Sequence, residues 1–275
     1  MARLRVGRVQ INVETAGAGD ALVLLHGFTG SAAMWEPHTR GLAQRFFTVA
    51  IDHMGHGESD APADPKRYGV GFAVEDILSV LDHLKIHRAS VLGYSMGGRV
   101  ALALAIIAPE RLSALILESA SPGLRDAGAR RARAAQDAAL AEVIERDGIE
   151  GFVNRWERLP LFASQARLPE DVRARLRAQR LQNTPTGLAN SLRGLGQGVQ
   201  LPMHEFLPQL RIPTLLVAGA LDPDYCERGR EMSQLIMGAR LEIVPDAGHA
   251  VHLEQPEAFR HLVAEFLVST DYALR

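Results

Sequence analysis

The pentapeptide Gly93-Tyr94-Ser95-Met96-Gly97 carries the clearest capacity for chemistry in this chain. A serine hydroxyl is a weak nucleophile or base until a neighbouring group takes its proton. The segment follows an apolar run at 89–92 and precedes an apolar helical pattern at 99–108, which makes it a strand-to-helix turn. Such a turn leaves no room for side chains two residues to either side of the serine, and Gly93 and Gly97 meet that demand. It lifts the Ser95 oxygen above the sheet edge, with the N–H of Met96 aimed into the same space. Read apart from its flanks, the pentapeptide is only a glycine-rich helix start.

A reactive serine needs a base and a group that orients the base. Asp222 stands just past the apolar run 214–217, and His249 follows the run 240–244, so the chain order is Ser, acid, His. Singly, the two read as an Asx turn and a loop histidine. Together with Ser95, at the carboxyl ends of three predicted strands, they point to a Ser-His-Asp relay. Asp224, and Glu118 at the end of the run 114–117, are lesser candidates for the acid. The turn from His26 to Gly30 offers a second backbone donor, Phe28, to pair with Met96 in an oxyanion hole. His26 is read as stabilising that turn, and His53, His56 and His252 as structural. No metal-ligand spacing, GxGxxG or Walker loop occurs, so neither a metal nor a cofactor is expected.

The elements that must hold these residues follow from periodicity. Residues 4–16 alternate as an antiparallel edge pair, and runs at 21–25, 47–51, 89–92, 114–117, 214–217 and 240–244 suit strands buried on both faces. Amphipathic stretches at 32–45, 70–84, 97–108, 227–237 and 256–268 separate them, which predicts an α/β fold with a mostly parallel sheet and helices on both faces. Between 125 and 206 strand-like runs give way to Arg-rich helical sequence, read as a helical cap inserted into a core made of 1–124 and 207–275. The cap carries net charge +3 and the remainder −5.

Composition excludes several classes. The chain has 275 residues, 47% hydrophobic and 23% charged, with formal charge −2, so the footprint of a nucleic-acid binder is missing. The run 100–108 is far too short for a membrane span and is read as a buried helix. The N-terminus lacks the apolar segment of a signal peptide, and the single Cys226 removes the disulfide-stapled class, so a cytoplasmic location is expected. Monomer and small homo-oligomer both remain open.

Through His26-Gly27, the segment 93–97, Asp222 and His249, the chain resembles the α/β-hydrolase superfamily over nearly its full length. The strings LHGFTGS at 25–31, GYSMGGRVA at 93–101, WERLPLFAS at 156–164, GLANSLR at 187–193 and GHAVHLEQP at 248–256 more narrowly resemble the 2-succinyl-6-hydroxy-2,4-cyclohexadiene-1-carboxylate synthases of menaquinone biosynthesis. The two cap strings discriminate. This resemblance implies a lyase on a hydrolase fold: proton abstraction beside a succinyl ketone, then 2,5-elimination of pyruvate, with Ser95 or His249 taking the proton. It also implies a tricarboxylate substrate held by Arg99, Arg131 and Arg180, with Tyr94 and Trp156 shaping the pocket; Arg131 stands in a run with Arg125, Arg130 and Arg133. One departure stands out: Asp224-Tyr225 replaces the basic residue and Phe usual in that family. A serine hydrolase on the same fold shares every triad residue, and a non-catalytic small-molecule receptor is the remote alternative.

Overall fold

The computed structural model describes residues 2–274. Its eight strands are β1 (Ala2–Val6), β2 (Val9–Ala16), β3 (Asp20–Leu25), β4 (Phe46–Ile51), β5 (Ala89–Tyr94), β6 (Leu112–Glu118), β7 (Thr214–Gly219) and β8 (Arg240–Val244). They form one sheet in the order β1-β2-β4-β3-β5-β6-β7-β8. The β1/β2 and β2/β4 pairs are antiparallel and all later pairs are parallel. The α-helices are α1 (Glu36–Leu42), α2 (Val70–His83), α3 (Met96–Ile107), α4 (Ala127–Trp156), α5 (Glu170–Leu181), α6 (Pro185–Leu195), α7 (Pro223–Leu235), α8 (Val251–Glu254) and α9 (Pro256–Leu274).

The continuous apolar runs form strands because both faces of the sheet are covered. Along β3, Val23 and Leu25 join a core with residues of α2 and α3, while Leu22 and Leu24 join a second core with residues of α1 and α9. This two-residue alternation feeds both cores from one strand. Between β6 and β7 the chain is helical and forms the cap. Ala141, Ile144, Phe152 and Val153 of α4 pack there on Leu188, Ala189 and Leu192 of α6 in a separate cluster. Helix α4 is interrupted at Gly148, whose φ of 72° lies in the left-handed region. No helix among the described residues is long and apolar enough to cross a membrane.

Two boundaries differ from the sequence reading in ways that matter to the site. Strand β5 runs on to Tyr94, in register with Glu118 of β6. Helix α7 begins at Pro223, four residues before the predicted start at 227. Asp222 caps it, its carboxylate accepting the Tyr225 N–H, and Pro223 supplies the preorganised first position. The earlier start places Asp224 and Tyr225 on a helix.

Candidate active site

Strand β5 feeds directly into α3 through Ser95, whose backbone sits at φ 52°, ψ −109°. A non-glycine residue held there is strained, and the surroundings must enforce it. They do so by close backbone approach: a Cβ on Gly97 would collide with the carbonyls of Leu25 and His26, and one on Gly93 with the carbonyl of Gly97. The Ser95 N–H donates to the Glu118 carbonyl of the next strand at 2.8 Å.

Ser95 Oγ lies 3.0 Å from His249 Nε2, and His249 Nδ1 lies 2.7 Å from Asp222 Oδ2. A carboxylate only accepts, so Nδ1 carries the proton toward Asp222, and the bare Nε2 accepts from the serine hydroxyl. His249 and Asp222 are 2% and 6% exposed, which shields the hydrogen bond between them from water. Glu118, the other acid considered, reaches a different histidine. Fully buried, it accepts from His252 Nδ1 at 2.8 and 2.9 Å and from the His252 N–H at 3.0 Å. Asp224 lies in the first turn of α7, is exposed, and lines the cavity without touching His249.

The serine opens into a cavity of about 280 Å³ between sheet edge and cap. Phe28, Tyr94, Met96, Arg99, Trp156 and Arg180 all line it. The Met96 N–H is the first of α3 and has no intrahelical acceptor, and the Phe28 N–H has no backbone acceptor among the described residues. The Tyr94 ring is buried, 5.5 Å from the His249 ring and 4.6 Å from that of His252. Burial pushes its phenol well above the usual range. Trp156 closes α4 and packs edge-on against Phe28, with ring centroids 5.3 Å apart. Arg180 is 6% exposed, donates to Glu157 Oε1 at 3.0 Å and Gln165 Oε1 at 3.3 Å, and lies over the Phe162 ring. Arg99 donates to Gln200 Oε1 at 2.9 Å, and burial lowers its guanidinium to about 10.

Arg131 is not brought to the cavity: it is exposed, and Arg133 lines the wall instead. Two positions along a helix turn a side chain by about 200°, so the two arginines point to opposite sides of α4. Gln197, Arg228 and Asn183 carry no signal in the sequence. Gln197 Nε2 donates to Tyr225 Oη at 2.9 Å, and the Tyr225 ring stands 4.5 Å from that of His249. Arg228, one turn beyond Asp224, also lines the cavity. Asn183, in the turn between α5 and α6, donates to the Thr29 carbonyl at 2.9 Å and accepts the Gly57 N–H at 3.2 Å, tying the cap to the loop that carries Phe28.

That loop rests on a buried polar cluster. His26 Nδ1 donates to the Gly27 carbonyl, and Nε2 accepts the His53 N–H at 3.0 Å. Asp52 accepts from the N–H groups of Ala32 and Glu58 and from Asn12 Nδ2. Burial lowers His26 to about 4 and His38 and His56 to about 3, against 6.5 when exposed. Below pH 6.5 the unfolded chain binds protons that the folded chain refuses. The stability these histidines contribute is therefore intact above pH 6.5 and lost as pH falls through about 4 for His26 and about 3 for His38 and His56. The expected result is a urea midpoint that drops between pH 6.5 and 5, reflecting an unfolding free energy that falls on the order of 1 kcal/mol per pH unit for each histidine. A flat midpoint across that window would contradict it.

A profile of the α/β hydrolase fold matches residues 20–256. A Bacillus subtilis (strain 168) protein provisionally named 2-succinyl-6-hydroxy-2,4-cyclohexadiene-1-carboxylate synthase is 46% identical over 95% of both chains. The chain belongs to the α/β-hydrolase fold family. Within the family it is closely related to the synthases of that name. The Serratia proteamaculans (strain 568) synthase is 32% identical over 90% of this chain and 93% of its own. The solved structure of MenH from S. aureus superposes with a TM-score of 0.91 at 33% identity, covering 95% of this α/β hydrolase and 98% of that chain.

Proposed function

We propose that this α/β hydrolase is a lyase that releases pyruvate from 2-succinyl-5-enolpyruvyl-6-hydroxy-3-cyclohexene-1-carboxylate and leaves 2-succinyl-6-hydroxy-2,4-cyclohexadiene-1-carboxylate. The observation that carries the reading is the hydrogen-bonded chain Asp222, His249, Ser95 opening into a cavity lined by Arg99, Arg133, Arg180 and Arg228. The sequence relationship to the synthases supports it independently.

In this mechanism His249 Nε2 takes the Ser95 proton as the Ser95 oxygen removes the ring hydrogen beside the succinyl ketone. Asp222 holds the imidazole in the tautomer that can accept and stabilises the imidazolium that forms. The electron pair moves onto the ketone oxygen, and the N–H groups of Phe28 and Met96 receive that enolate as they would an ester's oxyanion. Collapse of the enolate shifts the ring double bond and breaks the ring C–O bond to the enolpyruvyl group. The proton held on His249 returns to the departing enol system, which becomes pyruvate. No water is added. The three substrate carboxylates account for an Arg-rich cavity above an acidic body, since guanidinium pairs with carboxylate through two parallel hydrogen bonds. The reaction belongs in the cytoplasm in this proposal.

Pyruvate release coupled to lactate dehydrogenase tests the reading. Wild-type protein is expected to exceed the spontaneous decay of fresh substrate by orders of magnitude. A rate equal to decay, with turnover of simple esters, would replace the lyase by a hydrolase.

A further inference from the structure

The four cavity arginines are not electrically equivalent. Glu157 pairs with Arg180 at 3.0 Å while also pairing with Arg177 at 2.8 Å, and Asp137 pairs with Arg133 at 2.8 Å. Arg99 and Arg228 meet only neutral acceptors among the described residues: Arg99 donates to Gln200 Oε1, and Arg228 to Ser121 Oγ at 3.1 Å. These two partners are themselves linked, Gln200 Nε2 donating to the Ser121 carbonyl at 3.4 Å. One short bridge of neutral groups therefore holds two guanidiniums at the cavity, and neither makes an ion pair with a carboxylate among the described residues.

Arg228 is fixed in place by α7. Arg228 stands one turn after both Asp224 and Tyr225, and all three line the cavity, while Cys226, Gly229 and Met232 are buried. The Arg228 guanidinium lies 5.3 Å from the centre of the Tyr225 ring, and that ring packs against His249. A cation seated on an aromatic face keeps its N–H edge free to pair in plane with a carboxylate.

We propose that Arg228 is a specificity-determining residue of this site: with Arg99 it forms a clamp for a substrate carboxylate, one helical turn after the acidic Asp224 on α7. The clamp rests on the lyase reading above for its natural substrate, but its ligand chemistry, a carboxylate, stands only on the two arginines that make no ion pair among the described residues.

The test uses Arg228→Gln, Arg228→Lys and the double variant Arg228→Gln/Asp224→Lys, with two readouts. The first is KM and kcat for pyruvate release. The second is calorimetric binding of succinate, which needs no turnover. Arg228→Gln is expected to raise KM and weaken succinate binding about 10- to 100-fold, with KM affected more than kcat. Arg228→Lys should recover part of that loss, and Asp224→Lys should recover part of it in the Gln background by returning a cation one turn earlier. A KM and a succinate affinity both unchanged in Arg228→Gln, or losses that neither lysine restores, would overturn the clamp. If wild-type protein releases no pyruvate, the lyase reading fails by itself. The clamp then stands if succinate binding falls in Arg228→Gln and falls with it if that binding is unchanged.

Discussion

Ser95→Ala is expected to lower pyruvate release by about 10³-fold or more while leaving the fold intact. The substitution removes one oxygen at a position whose strained backbone is enforced by the contacts around Gly93 and Gly97, not by the hydroxyl. What disappears is the atom 3.0 Å from His249 Nε2. His249→Ala should cost a similar factor, and the double variant little more than either alone, because the two side chains pass one proton between them. Residual activity above spontaneous decay would come from the N–H donors of Phe28 and Met96 and from the arginines. Rates for both single variants and the double, with thermal melts as controls, check this. Additive losses would mean that serine and histidine act separately.

The second large effect is on stability. Glu118→Ala is expected to destabilise the protein by about 3–5 kcal/mol, read from urea unfolding. Glu118 and His252 are both fully buried, and the carboxylate accepts from both the ring and the backbone N–H of His252. Removing it leaves two buried donors without an acceptor inside a ring of Tyr94, Trp35 and His38. Since His252 lies in α8 three residues after His249, and the Glu118 carbonyl receives the Ser95 N–H, the pair also joins the two halves of the site. Replacing both partners with leucine should cost less than the sum of the single replacements, because no donor is then stranded. A loss below about 1 kcal/mol for Glu118→Ala would show that water or a neighbour takes over the carboxylate's place.

Much of this was legible in the residues. The six apolar runs lie within the parallel strands β3 to β8 because a strand covered on both faces has no polar alternation to disguise it. Ser95, Asp222 and His249 converge because each follows the carboxyl end of a parallel strand, so chain order and sheet order place them at one edge. Periodicity did not reach the start of α7, where a polar cap and a proline, not an apolar face, begin the helix. It also did not reach Arg133, Gln197, Asn183 and Arg228, whose positions depend on how the cap seats on the sheet. The histidines at 26, 53 and 56 are structural in the sequence reading, and the ring nitrogens of His26 and His56 bond backbone groups of the Phe28 loop and of its neighbour at 53–56 instead of Ser95.

Elimination and hydrolysis differ by one water, which makes the mass of the ring product the most direct measurement. Substrate is turned over by wild-type protein, pyruvate is quantified, and the ring product is weighed by mass spectrometry before it can decay. The predicted result is one pyruvate per substrate and a ring product lighter than the substrate by the mass of pyruvic acid, carrying a new conjugated diene. A ring product heavier than this by one water, with a hydroxyl where the enolpyruvyl group left, would contradict the lyase mechanism.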